Sequence, residues 1–343
     1  NFETNPEEGI SFEGLTINLK SNPKLSETFE IFLNVVLSKD IVRLEWSYNT
    51  DLFSASTIEH MMESFEALLL TLVSNNTDTI SSIVNGKLSS FYDLLNQTKS
   101  EYPSEPLHIL FKKQAEITPN NIAVEFNDSV LSYNDLQKQS IQLAQYFKEQ
   151  GIKPGDNVGV SMHRCPELIS TLIAILECGA AYVPLDPNYP KSRLEFILTD
   201  SQASYLVTNK NNFFDFDSGI QHIYIENALS NLANFSDNPI QILIDQNDPA
   251  YILYTSGSTG KPKGVTITHK NLVNLLISLA TEPGITENDR FLAITTISFD
   301  IAGVELFLPL LKGATIVMTD AETARNGELL LKILETKNIS ILQ

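Results

Sequence analysis

Basic residues, cysteines and long apolar runs are what this chain has least of. Its 343 residues carry 23 Lys and Arg against 42 Asp and Glu, a formal net charge of −19. Binding to nucleic acid or to an anionic membrane surface needs basic patches, so that balance argues against both. Two cysteines, Cys165 and Cys178, are too few for a disulfide framework and fit a reducing cytoplasm. Both are read as buried small hydrophobes rather than reactive thiols. The five histidines are scattered without metal-ligand spacing. No run approaches the ~18 apolar residues of a membrane span. The start, Asn1-Phe-Glu-Thr-Asn-Pro-Glu-Glu, has neither the charged nor the apolar region of a signal peptide, and no initiator Met, which suggests an excerpt of a longer chain.

A content of 43% hydrophobic residues with mean hydropathy near zero supplies a globular core, and the length suits two domains. Residues 1–97 form the first piece. Phe29–Leu37 and Ile41–Tyr48 read as strands around a Ser38-Lys39-Asp40 turn. Val42, Leu44, Trp46 and Tyr48 alternate with polar residues and predict one buried face. A helix follows, with capping-box spacing at Ser56 and Glu59 and a stripe of Ile58, Met61, Met62, Phe65, Leu68, Leu69, Leu72 and Val73. Residues 98–107, with two prolines and little periodicity, have linker composition.

Residues 108–343 alternate strand and helix. Leu136, Ser140, Leu143 and Phe147 line one helix face that Gly151 ends. A helix from Pro166 stops at Gly179, before the strand Ala181–Leu185. Later elements are Phe291–Thr295, a helix from about Ile301 to Leu311, Ala314–Met318, a helix near 323–337 and Ile339–Leu342. Repeated βα units predict an α/β fold of parallel-rich sheets flanked by helices.

The most informative run is Tyr254-Thr-Ser-Gly-Ser-Thr-Gly-Lys-Pro-Lys-Gly264, framed by strand-like Ala250–Tyr254 and Gly264–Thr268. Glycine lets backbone N–H groups approach an oxyanion, and successive N–H groups in a turn make an anion nest. Thr255, Ser256, Ser258 and Thr259 add hydroxyl donors; Lys261 and Lys263 add positive charge. This reads as a polyphosphate-gripping loop. It is not a P-loop, because Gly257 and Gly260 are three apart and Pro262 follows Lys261.

With that loop, Leu131-Ser-Tyr-Asn-Asp-Leu136, Leu176-Glu-Cys-Gly-Ala-Ala-Tyr-Val-Pro-Leu-Asp-Pro187 and Phe299-Asp-Ile-Ala302 complete four ordered motifs. Together they resemble the adenylate-forming superfamily over residues 108–343, and in particular the adenylation domains of non-ribosomal peptide synthetases. Residues 1–97 more weakly resemble the C-terminal tail of a condensation domain, an α+β segment without that family's paired histidines. The resemblance implies transfer of AMP from ATP to a carboxylate with release of pyrophosphate. Thr255, Ser256, Gly257, Ser258, Thr259, Gly260, Lys263 and Gly264 would hold the ATP phosphates. It also implies an Mg2+ ion, and loading onto the phosphopantetheine thiol of a peptidyl carrier domain. The Mg2+ ligands and the catalytic Lys are expected past Gln343, so the excerpt alone should be a poor enzyme.

Asp300 interrupts an apolar run, where a carboxylate is costly unless paired. Its local reading is the N-cap of the following helix. The resemblance implies a partner for the α-ammonium of an amino acid, with Phe299 as a pocket wall. Carrying the family's pocket positions across adds Ile301, Val304 and Gln343. That set is similar to glycine-activating domains, in which bulky side chains fill the space of a substrate side chain. The alternative is an acyl- or aryl-CoA ligase, which generally lacks the Asp; a non-enzymatic acidic module would leave the four motifs unexplained.

Overall fold

A computed structural model describes residues 2–4, 30–37, 41–74, 95–212, 219–256 and 261–343. The chain divides into two compact units, residues 1–100 and 101–343. In the first, β1 (Phe2–Thr4) runs parallel to β2 (Ile31–Leu37), and β2 pairs antiparallel with β3 (Val42–Tyr48). Helix α1 (Ala55–Ser74) follows. Trp46 of β3 meets Phe65 of α1 edge to face, centroids 5.9 Å apart.

Three expectations for this unit are corrected. No residue of β3 is fully buried, and Val42 is 60% exposed. Only Ile58 of the α1 stripe is fully buried, with Phe65 and Leu68 half-buried; Met61, Met62, Leu69, Leu72 and Val73 are exposed. Alternation fixes which side chains share a face; it does not supply a layer to cover that face. The helix is capped by Ser54 rather than Ser56, the Thr57 amide donating to the Ser54 hydroxyl at 3.2 Å. The 38–40 turn lies outside the described residues.

The second unit holds two sheets. The six-stranded one runs β11-β10-β7-β6-β8-β9: β6 (Asn157–Ser161), β7 (Ala181–Pro184), β8 (Tyr205–Thr208), β9 (Gln221–Tyr224), β10 (Pro249–Thr255) and β11 (Lys263–Thr268). All its pairs are parallel except β10 with β11. The five-stranded one runs β14-β12-β13-β4-β5: β4 (Ile122–Phe126), β5 (Ser129–Ser132), β12 (Arg290–Ala293), β13 (Thr315–Met318) and β14 (Ile341–Leu342). Only β4 with β5 is antiparallel. This is the parallel-rich α/β architecture expected of residues 108–343. No regular element occupies 98–106, and the first helix, α2, is Leu107–Ile117.

Helix α3 (Tyr133–Glu149) is amphipathic, with Leu136, Ser140, Leu143 and Phe147 fully buried. Its N-cap Ser132 accepts from the Asp135 amide at 3.1 Å. Helix α4 (Pro166–Glu177) is predominantly apolar, buried at every position from Leu168 to Leu176, and touches β7 of one sheet and β4 of the other. Gly179 ends it at φ +70°, and a Cβ there would stand 3.2 Å from Pro154. Tyr133, fully buried, donates its hydroxyl to the carbonyls of Ala314 (2.7 Å) and Pro309 (3.0 Å). Both cysteines are free, and burial pushes each thiol up to about 12, as suits inert packing residues.

Two histidines meet where α2 begins beside α7 (His269–Leu279). The His108 and His269 rings stand 5.8 Å apart, and the Leu107 amide donates to His269 Nδ1 at 3.4 Å. Burial, and for His108 also the His269 charge, pushes His108 down to about 3; burial pushes His269 down to about 4, against the charge of Asp248. The unfolded chain takes up these protons near pH 6.5 while the folded chain refuses them until about 4. Stability is therefore lost as pH falls through that window, by about 1.4 kcal/mol per pH unit for each imidazole. Denaturant midpoints at pH 7 and pH 5 should differ less in His108→Leu than in the native chain; equal differences would dismiss the pair as the cause.

Candidate functional site

The Tyr254–Gly264 run connects β10 to β11, which pair antiparallel with Thr255 in register opposite Lys263. Because β10 lies parallel to β7, Thr255 and Ser256 sit at the carboxyl end of the parallel sheet, where open α/β sheets bind ligands. Thr255, Ser256, Lys261, Lys263 and Gly264 are exposed there. Gly257, Ser258, Thr259 and Gly260 lie outside the described residues.

The base of the hairpin is packed tightly. The Tyr254 hydroxyl donates to Asp200 Oδ2 at 2.7 Å, joining β10 to α5 (Lys191–Asp200). Burial and the Asp200 hydrogen bond both push the Tyr254 phenol up, so it stays the donor. Gly264 crosses over that ring: an added Cβ would come within 3.0 Å of Tyr254 Cζ and 3.2 Å of Ile252 Cγ2. Glycine at 264 thus suits a close approach in which a Cβ would press on the Tyr254 ring, beside any role toward phosphate.

Asp300 follows the carboxyl end of β12, before α8 (Ala302–Phe307). It is exposed, so the apolar run around it does not bury its carboxylate. Ile301, not Asp300, takes the N-cap place, in helical conformation; Asp300 Oδ1 accepts from the Ile301 amide at 2.8 Å. With Phe299, Asp300 borders a small cavity of about 10 Å³, room for about one water, whose other walls include Leu172, Tyr182, Tyr251 and Gly303. Tyr182 and Tyr251 stack with centroids 5.2 Å apart. Burial, and next the Asp300 charge, push the Tyr251 phenol up to about 12. Phe299 is 61% exposed.

The structure does not bring the remaining pocket candidates to that cavity. Val304 is buried, Ile301 half-buried, and Gln343 exposed beyond β14; none lines it. A larger cavity of about 200 Å³ lies on the other side of Ile297, between Arg164, Asp186, Thr296 and Arg325. Its charged residues escaped the sequence reading, as did Glu305, the fully buried carboxylate of α8. Glu305 had a visible signal: it is the lone charge in the apolar run from Ile301 to Leu311.

Among the described residues, no group of three or more His, Cys, Asp or Glu side chains could hold a metal ion. Among the same residues, no helix is long and apolar enough to cross a membrane.

Comparison with known proteins identifies the family. The family model for AMP-binding enzymes matches residues 111–343. A dimodular nonribosomal peptide synthase of Bacillus subtilis (strain 168) is 31% identical over 98% of this chain, and tyrocidine synthase 2 of Brevibacillus parabrevis 32% identical over 90%. The chain spans only 14% and 9% of those two proteins. Among solved structures, a holo four-domain nonribosomal peptide synthetase bound to AMP and glycine matches 92% of this chain and 24% of its own, at 29% identity and a TM-score of 0.71. With more than half its length matched by the family model, the chain belongs to the AMP-binding enzyme family, in its nonribosomal peptide synthetase branch.

Proposed function

We propose that this chain activates an amino acid, glycine in the first instance, as the aminoacyl adenylate within a longer synthetase. A carboxylate oxygen of the amino acid attacks the α-phosphorus of ATP. The new C–O–P linkage forms as the bond to the β-phosphate oxygen breaks, and pyrophosphate leaves. Both partners are anions, so the protein's task is positioning and charge compensation. The observation that carries the reading is the exposed hydroxyl- and lysine-bearing hairpin at the carboxyl end of the parallel sheet. Thr255, Ser256 and Lys263 would hold the β- and γ-phosphates, with Gly257, Ser258, Thr259 and Gly260 supplying backbone donors between them. Asp300 would accept the α-ammonium at the mouth of its cavity, with Phe299 alongside. An acyl- or aryl-CoA ligase would have no use for a carboxylate there. Residues 1–97 would be the end of a condensation domain and 98–107 the linker. Mg2+ would come with ATP, and the acyl group would pass to the phosphopantetheine thiol of a carrier domain.

Glycine rests on two supports. The cavity beside Asp300 is small, and a relative 29% identical to this chain is described as bound to AMP and glycine. Ile301, Val304 and Gln343 would come to crowd the space beyond the substrate Cα only once the site is complete. A panel of amino acids in pyrophosphate exchange, run on the synthetase carrying this chain, tests it. Glycine should lead with alanine next, since one methyl separates substrates by only about 1–3 kcal/mol. Preference for a large aliphatic or aromatic amino acid would overturn the assignment.

A further inference from the structure

We infer that Arg164, Glu305 and Asp186 are positioning residues that clamp three consecutive residues, Ile294, Thr295 and Thr296, and thereby fix where Asp300 is presented. The inference rests on the reading of Asp300 as the amino-acid anchor.

Each of the three residues is held by a charged side chain from a different element. Arg164, after β6, donates through Nη2 to the Ile294 carbonyl. Glu305, on α8, accepts from the Thr295 amide at 2.8 Å and from the Thr295 hydroxyl at 2.6 Å. Asp186, after β7, accepts from the Thr296 hydroxyl at 2.9 Å, while the Asn188 amide secures its other oxygen at 2.9 Å. Arg164 and Asp186 belong to loops of the six-stranded sheet, whereas the clamped residues extend β12 of the five-stranded one. The clamp therefore sets the segment against both sheets. Immediately after it, the Phe299 amide donates to the Thr296 carbonyl at 3.0 Å, closing a turn that leads directly into Asp300.

A packing role alone does not account for Glu305. It is fully buried, and a hydrophobic residue of its size would serve packing at least as well as a buried charge does. Both of its oxygens are instead committed to one residue, through that residue's main chain and side chain. Such a pair fixes orientation as well as distance. The negative charges of Glu305 and Asp186 favour the charged form of the Arg164 guanidinium against its burial, which ties the three side chains electrostatically.

Two variants test the clamp. Thr295→Val keeps the shape and removes the hydroxyl bond; Thr295→Ser keeps both bonds. In the synthetase carrying this chain, Thr295→Val should raise the amino-acid KM about tenfold and leave the ATP KM within about twofold, and Thr295→Ser should restore the native value. In this chain alone, amide exchange over 294–304 should quicken in Thr295→Val and in Glu305→Gln while β6 and β7 exchange as before. Unchanged exchange over that segment, or equal rises in both KM values, would overturn the clamp. Asp300→Asn separates the two readings: if it leaves the amino-acid KM unchanged, the anchor role fails, and exchange alone then decides the clamp. Should Glu305→Gln not fold, the Thr295 pair carries the test.

Discussion

Asp300→Ala is expected to lower amino-acid activation by hundreds-fold or more, while activation of the matching des-amino acid falls much less. The size of the loss is diagnostic. An ion pair left open to water contributes only about 0–1 kcal/mol, a few-fold in rate. Removing one partner from a pair sealed from water costs about 3–5 kcal/mol, because the other charge stays buried and unpaired. In this chain Asp300 is exposed. It nevertheless borders a cavity walled by Tyr182, Tyr251 and Leu172, which leaves little room for water beside a bound ammonium. The larger value follows if substrate, together with the rest of the synthetase, completes that enclosure. Pyrophosphate exchange with both substrates measures it; equal losses for the two would leave Asp300 with only its bond to the Ile301 amide.

Substitutions at the hairpin base should act on ATP instead. Gly264→Ala places a methyl 3.0 Å from Tyr254 Cζ, and the ring cannot swing away freely because its hydroxyl is bonded to Asp200. Overpacking of this kind costs about 1–3 kcal/mol. The strain falls on the two strands that carry Thr255 and Lys263, so the ATP KM should rise about tenfold with the amino-acid KM unaffected. Tyr254→Phe releases the tether and should recover part of the loss in the double variant. Lys263→Ala removes a charge-assisted contact of about 1.5–3 kcal/mol by a separate route. Unchanged ATP kinetics in both Gly264→Ala and Lys263→Ala would remove this hairpin from the phosphate site.

The parallel sheets were legible because their strands are short apolar runs and their helices stop at glycines such as Gly151 and Gly179, both at positive φ. What failed to show was long-range. Arg164 reaches Ile294 across 130 residues and Asp186 reaches Thr296 across 110, and no local pattern records such pairings. The apolar run around Asp300 suggested a buried carboxylate, but the chain turns outward after Ile297, leaving Phe299 and Asp300 exposed, and the buried acid is Glu305, five residues further on. In the first unit, Val42 and the outer α1 residues kept their pattern without a covering layer. The capping-box spacing at Ser56 set the helix start two residues late, since the Thr57 amide donates to the Ser54 hydroxyl.

The central claim is that a carboxylate attacks the α-phosphorus of ATP in the synthetase carrying this chain. Glycine labelled with heavy oxygen at both carboxylate positions tests it directly, when the acyl group is trapped with hydroxylamine and the released AMP is weighed by mass spectrometry. Attack at the carbonyl carbon leaves the bridging oxygen on phosphorus, so the AMP should carry one heavy oxygen and appear with pyrophosphate. Unlabelled AMP, or ADP and phosphate in its place, would contradict the account.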